Sequence, residues 1–213
     1  MKAFVVSNGE MLSDDYYIKL FEKEKPQYII CADGGVGHLK RLGITPTTII
    51  GDLDSIKSEE LNYYKDKNIE IIQYNPDKDK SDTQLAIEYA MTKPLSEIVL
   101  LGVLGNRFDH SLANLYLLEF IISKGFRGSI RNENNVIYLI NKEIQIKGAK
   151  GDIVSLLPFT DIVEGICTSG LHYSLKNATM ERKTPYGISN IFIDSTIKIS
   201  IKSGLLLVIL AQD

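Results

Sequence analysis

The sequence predicts an α/β domain built on a doubly wound, mostly parallel sheet, followed by a smaller all-β sandwich domain. Three observations carry this. Short β-branched apolar runs alternate with helix-period segments as far as residue 124. The strand-length runs are apolar at nearly every position, which marks parallel strands covered on both faces. Beyond Gly125 the helical period stops, while short apolar runs continue between clusters of Gly, Pro, Asn and Asp. Closely spaced strands without helices read as an antiparallel sandwich or barrel.

Taken in order, residues 3–7, 28–32, 48–51, 69–73 and 97–102 are the strand-length runs of the first region. Between them, residues 14–25, 35–42, 57–67, 82–92 and 109–123 read as helices. In several the apolar residues recur three or four apart, as in Leu85 and Tyr89 or Leu112, Leu115 and Leu118. Ser81 with Gln84 makes a capping box, and Gly43 after Leu42 is a helix stop. A sheet of about five or six strands follows. In the second region, residues 144–147, 153–157, 197–202 and 205–211 are the strand candidates. The segment Lys124-Gly125-Phe126-Arg127-Gly128 is the expected junction, which gives domains 1–124 and 125–213.

Composition excludes several classes. Of 213 residues 44% are hydrophobic and 24% charged, an ordinary globular balance. The net charge of −3 gives no support to nucleic-acid binding. No apolar run approaches the roughly 20 residues of a membrane-spanning helix, so no membrane role is expected. The first ten residues, MKAFVVSNGE, are too briefly apolar for a secretory signal. Cys31 and Cys167 are too few for a disulfide scaffold or a four-thiolate metal site, and the cytoplasm is the expected location. Charge is uneven: residues 1–124 carry 14 Lys and Arg against 19 Asp and Glu, whereas 125–213 carry 10 against 8.

The acidic excess has a pattern. In open parallel sheets, ligands bind outside the carboxyl ends of the strands. Four expected strands end there in Asp: Asp33-Gly34-Gly35, Gly51-Asp52-Leu53-Asp54-Ser55, Asn75-Pro76-Asp77-Lys78-Asp79-Lys80-Ser81-Asp82 and Gly105-Asn106-Arg107-Phe108-Asp109-His110. Asp33 alone reads first as a turn residue. Asp52 with Asp54, and Asp79 with Asp82, are close enough in sequence to face one point. Carboxylates held together repel unless a cation intervenes, and a hard divalent ion such as Mg²⁺ in the company of substrate phosphates fits them. A calcium loop is the decoy: Asp77, Asp79, Ser81, Thr83 and Glu88 match its ligand positions, but Asp82 stands where its sharp turn needs Gly.

Phosphate-binding signals are weaker. There is no P-loop, and Gly34-Gly35-Val36-Gly37 lacks the dinucleotide spacing, although it leaves a backbone that a phosphate can approach at a helix N-terminus. Arg107, one of two arginines in the first 124 residues, suits phosphate oxygens or, equally, a salt bridge to Asp109. His38, His110 and His172 have no metal-ligand spacing, and His110 reads first as a residue of a helix's first turn.

In their order and spacing, the Cys31-Ala32-Asp33-Gly34-Gly35 segment and the three other acidic segments resemble the thiamine pyrophosphokinase family. Gly170-Leu171-His172-Tyr173, Gly187-Ile188-Ser189-Asn190 and the run from Gly204 resemble its β-domain, so the likeness covers nearly the whole chain. The resemblance implies an α/β catalytic domain and a β-sandwich that recognises thiamine and dimerises. It implies a homodimer with the thiamine site between subunits, and transfer of the pyrophosphoryl group of ATP to the hydroxyethyl oxygen of thiamine, releasing AMP. It maps the Mg²⁺ ligands to Asp52, Asp54, Asp79, Asp82 and Asp109, with Asp82, Asp109 and Arg107 as the catalytic set. Asp33, Gly34, Gly35 and Arg107 would hold ATP, and Tyr173, Ser189 and Asn190 thiamine. Tyr173 stands where the family often has Trp, and still offers a π face to a cationic thiazolium. Ser81 stands where Thr is common and keeps the hydroxyl. Two other classes fit Asp-rich strand ends: a Mg²⁺-dependent phosphohydrolase or nucleotidyltransferase, and a binding-only sensor of thiamine or nucleotide.

Overall fold

The apolar run Lys2–Val6 forms β1, and the first region continues from it as α1 (Asp14–Glu24), β2 (Tyr28–Ala32), α2 (Val36–Arg41) and β3 (Thr48–Gly51). Then come α3 (Ser58–Asp66), β4 (Glu70–Gln73), α4 (Asp82–Met91), β5 (Glu97–Leu101), α5 (Phe108–Ser123) and β6 (Arg127–Arg131). This computed structural model describes every residue except Ser55, Lys57, Asn68, Lys78 and Asp213, and only the backbone of Ser58, Glu59, Glu60 and Asp66. Ser55 and Lys78, quoted within two of the acidic segments, thus lie outside the described residues.

Local signals account for the helix ends. Ser13 caps α1 by accepting from the Tyr16 amide, and Asp14 and Asp15 occupy the first turn, where the helix dipole favours negative charge. Ser81 accepts from the Gln84 amide at 3.2 Å, but the Gln84 side chain donates to Glu88 instead, so half of the expected capping box forms. Gly43, at φ 69°, follows the last turn of α2 as expected.

The strands are parallel and ordered β4-β3-β2-β1-β5-β6. Alternate residues of each central strand face opposite sides. Phe4, Val6, Cys31, Ile49, Val99 and Leu101 share one core with Tyr17, Leu20 and Phe21 of α1 and Val36 and Leu39 of α2. On the other side α4 packs against β1, β2 and β3, burying Leu85, Ala86, Ile87 and Ala90. Each fully buried aliphatic side chain contributes about 1.5–3 kcal/mol to this arrangement. The chain runs outward from β1 to β4, then returns to place β5 on the other side of β1. The turns leaving β1 and β5 therefore mark the point where the strand order reverses, the place where doubly wound sheets take ligands.

The chain divides into two compact units, Met1–Glu133 and Asn134–Asp213. The expected junction at 124/125 falls earlier, because Arg127–Arg131 pairs in parallel with β5 and belongs to the first unit. The second unit holds β7 (Asn135–Ile140), β8 (Glu143–Lys147), β9 (Ile153–Pro158), β10 (Ile162–Ser169), β11 (Ala178–Glu181), β12 (Gly187–Ile191), β13 (Thr196–Ser200) and β14 (Leu206–Ala211). They form two antiparallel sets, β12-β9-β14-β7 and β11-β10-β13-β8. Ile140, Val154, Leu156, Leu206 and Val208 of the first set share a core with Ile146, Val163, Ile166, Ile197 and Ile199 of the second. The expectation of an α/β region with a mostly parallel sheet, followed by antiparallel structure, is borne out. No described helix is long and apolar enough to cross a membrane.

Candidate active site

The turns after β1 and β5 run side by side. Gly9 N donates to the Gly102 carbonyl at 2.6 Å and Glu10 N to that of Leu104 at 2.7 Å. A Cβ on Gly9 would lie 2.5 Å from both carbonyl oxygens, so this approach needs glycine. Beside them opens a cavity of about 790 Å³, within the range of small-ligand sites. Its walls are the Ser7–Leu12 and Gly102–Arg107 turns, Asp33, His38 and Arg41 of α2, and Asp82 and Thr83 at the start of α4. Ser7 Oγ and Thr83 Oγ1 lie 2.9 Å apart in a buried hydrogen bond that ties the end of β1 to the first turn of α4.

Three carboxylates meet here, two from the ends of β2 and β3 and one from the start of α4. Asp33, Asp52 and Asp82 each bring an oxygen within 4.8 Å of the others. Their convergence follows from topology, since β2 and β3 are neighbours and α4 starts beside them. Asp33 stands at φ 43°, in the left-handed region that costs a side chain about 1–3 kcal/mol. Its Oδ1 is buried and has no hydrogen-bond partner among the described residues. Asp52 Oδ1 accepts from the Asp54 amide at 3.3 Å, which fixes the turn after β3. An all-oxygen set of this kind, with a buried carboxylate oxygen left open to a cation, fits Mg²⁺.

The other expected residues fall as follows. Asp54 and Asp79 are exposed, and neither belongs to the three-carboxylate set. Asp109 is exposed in the first turn of α5, gripped by Arg107 through Nε–Oδ1 at 3.2 Å and Nη2–Oδ2 at 2.6 Å. That two-point hydrogen bond lowers the Asp109 carboxyl to about 2. The salt bridge read for Arg107 from the sequence is thus formed, and Arg107 also lines the cavity. Gly34 and Gly35 are not among the residues that line the cavity. A Cβ on Gly34 would come within 2.5 Å of Asn8 Nδ2, so this glycine lets the Asn8 side chain lie over the turn. Glu10, His38, Arg41 and Asn106 line the cavity and were not singled out. Only Arg41 carried a signal, as the other arginine of the acidic region.

In the second unit, β12 pairs with β9 through a shifted register between Gly187 and Asn190. Ser189 sits in that shift at φ 58°, its amide donating to Ser155 Oγ at 3.1 Å. Asn190 is buried. Its Oδ1 accepts from the Tyr173 amide at 3.0 Å and the Ile191 amide at 2.9 Å, and its Nδ2 donates to the Tyr173 carbonyl at 2.8 Å. Tyr173, held at its backbone in this way, is 67% exposed, its ring edge-on to His172.

Comparison with known proteins gives this geometry its context. Residues 20–127 match the family model described as thiamin pyrophosphokinase, catalytic domain, and residues 138–206 match thiamin pyrophosphokinase, vitamin B1 binding domain. The chain belongs to the thiamin pyrophosphokinase family. A curated thiamine pyrophosphokinase of Bacillus subtilis is 29% identical over 190 residues, covering 86% of this chain and 87% of its own. Thiamine pyrophosphokinase 1 of Oryza sativa subsp. japonica is 28% identical over 203 residues, covering 83% and 76%. The crystal structure of thiamine pyrophosphokinase from Bacillus subtilis superposes with a TM-score of 0.87 at 25% identity, over 100% of both chains. As a thiamin pyrophosphokinase, the chain is an ATP-dependent diphosphotransferase, and the hydrolase, nucleotidyltransferase and sensor readings are not favoured.

Proposed function

We propose that the cavity of the first unit binds ATP and that Asp33, Asp52 and Asp82 hold Mg²⁺ at its edge. The observation that carries this is the meeting of Asp33, Asp52 and Asp82 beside a nucleotide-sized cavity at the switch point of the sheet. When bound, the ion supplies the charge neutralisation that an acidic site needs to accept a polyphosphate. Asp54, Asp79 and Asp109 stand outside that set. Asp109 instead keeps the Arg107 guanidinium at the rim, where its remaining N–H groups can turn to phosphate oxygens. Arg41 is the second cation of the wall. In phosphoryl transfer the protein acts mainly by positioning and charge, which is the contribution of these residues.

Thiamine would take the Tyr173 face and Ser189 of the second unit. An exposed aromatic face suits a cation that cannot lose its charge. Tyr186, Ile188, Ile191 and Ile193 are also exposed there, an apolar surface of the kind a partner covers, which supports a homodimer with thiamine bound between subunits. The two free thiols suit a cytoplasmic enzyme.

Chromatography of products formed from ATP, Mg²⁺ and thiamine tests the reading. AMP should appear only when thiamine is present; ADP, or hydrolysis without thiamine, would overturn it. Asp33→Asn, Asp52→Asn and Asp82→Asn should each lower turnover by about two orders of magnitude or more, and weaken Mn²⁺ binding measured by electron paramagnetic resonance, with near-UV circular dichroism unchanged. The same loss of Mn²⁺ affinity in Asp54→Asn, Asp79→Asn or Asp109→Asn would enlarge the ligand set beyond three.

A further inference from the structure

His38 stands on α2 with both ring nitrogens engaged. Nε2 lies 2.7 Å from the Gly9 carbonyl oxygen, and Nδ1 lies 3.3 Å from Nη2 of Arg41, one turn along the same helix. A carbonyl can only accept and a guanidinium can only donate. Nε2 therefore carries the proton, Nδ1 is bare, and a neutral ring in a single tautomer satisfies both partners. Arg41 continues the chain of contacts: Nη2 donates to the Met11 carbonyl at 2.8 Å, and Nη1 pairs with Asp14 Oδ1 at 2.5 Å.

The helix thus grips the turn after β1 at two carbonyls, Gly9 through His38 and Met11 through Arg41. The far edge of that turn is fastened to the turn after β5 by the Gly9 and Glu10 amides. Gly9, Glu10, Met11 and Leu12 are a wall of the cavity, and His38 and Arg41 border the same space.

We infer that His38 is a positioning residue for the nucleotide: as the neutral Nε2–H tautomer it fixes the Gly9–Leu12 wall and holds Arg41 along it. This rests on the reading of that cavity as the ATP site. The charged groups that face the ring are Arg41 on its own helix and Asp14 on α1; from the turn after β1 it meets a backbone carbonyl, and Glu10 there is engaged by the Asn106 amide. Burial, followed by Arg41, holds the His38 pKa below its ordinary value, against the opposing pull of the Gly9 carbonyl and Asp14. A proton added at Nδ1 would aim an N–H at the guanidinium N–H and drive Arg41 off the Met11 carbonyl. The clamp is therefore whole at neutral pH and opens as pH falls through the lowered pKa.

The experiment compares full-length wild type, His38→Ala and His38→Gln. The glutamine amide supplies one donor and one acceptor and does not titrate. In His38→Ala the ATP KM should rise about five- to tenfold, the scale of one or two lost hydrogen bonds, with kcat and the thiamine KM within about twofold of wild type. Hydrogen exchange at the Gly9–Leu12 amides should quicken in the absence of nucleotide. His38→Gln should restore most of the ATP KM, and should lack the rise in ATP KM that wild type shows as pH falls through the lowered His38 pKa. That comparison of pH profiles decides the matter even if His38→Ala does not fold. Failure of ATP to slow exchange anywhere around the wild-type cavity would overturn the nucleotide reading and the clamp together. ATP protection in the wild type with an unchanged ATP KM and unchanged exchange in His38→Ala, or identical pH profiles for wild type and His38→Gln, would overturn the clamp alone.

Discussion

Arg107 and Asp109 are two residues apart and both exposed, yet they form a two-point contact, because a guanidinium fork matches a carboxylate in plane and spacing. With its carboxyl lowered to about 2 from an ordinary 3.8, Asp109 adds stability that is present above about pH 3.8 and lost as pH falls towards 2. On an exposed pair that contribution is too small for denaturation to reveal, so the side-chain titration is the readout. The Asp109 carboxyl should titrate by NMR near pH 2 in the wild type and rise towards its ordinary 3.8 in Arg107→Gln; an unchanged midpoint would remove Arg107 as the cause. Residue by residue, the site was partly legible. Asp52 and Asp82 stood out because carboxylates at several strand ends imply a shared edge. Asp33 looked like a turn former, since its place in the carboxylate set depends on Asp52 and Asp82 arriving from other turns. His38 carried no sign at all: its role lies in hydrogen bonds to a carbonyl 29 positions away, which no local spacing encodes.

Among elements, β12 shows how an irregular strand can present a binding group. Its register shift against β9 lets Ser189 adopt a left-handed backbone and turns Asn190 inward. Bulges of this sort re-aim side chains beside functional sites. Asn190 then spends both ends of its amide on the Tyr173 backbone and holds the Tyr173 turn against β12, which on the proposed reading positions Tyr173 for thiamine. Asn190→Ala should raise the thiamine KM about tenfold or more, as several buried hydrogen bonds are lost, while leaving the ATP KM near that of wild type. Equal rises for both substrates would indicate general damage instead. Elements with a continuous apolar run, such as β1 and β5, were evident from the sequence. The strand Arg127–Arg131 was not: Arg, Gly, Ser, Ile and Arg contain one apolar side chain, and pairing with β5 makes the strand. Ser81 was readable as a cap, but Gln84 found a better acceptor in Glu88 than in the helix start.

For the whole molecule, the division into two units separates the two recognition tasks. The carboxylates, the glycine-lined turns and both arginines of the cavity belong to Met1–Glu133; Tyr173, Ser189 and Asn190 belong to Asn134–Asp213. The charge asymmetry of the sequence follows the same division, with the acidic excess in the unit proposed to take Mg²⁺ and ATP. The order β4-β3-β2-β1-β5-β6 supplies the rest, because a sheet whose order reverses at β1 opens its ligand crevice beside the turns after β1 and β5. Ligands bound to separate units should leave separate footprints. ATP with Mg²⁺ should slow hydrogen exchange in the turns that leave β1, β2, β3 and β5, and thiamine in residues 171–173 and 187–191. At about 100 times its Kd each ligand should add about 2.7 kcal/mol to the unfolding free energy of the state that binds it. Thiamine protection should fade when dilution separates the subunits, since half of its site would then be missing, whereas the ATP footprint should persist. A thiamine footprint independent of protein concentration would place the whole thiamine site on one subunit and remove the shared-site reading.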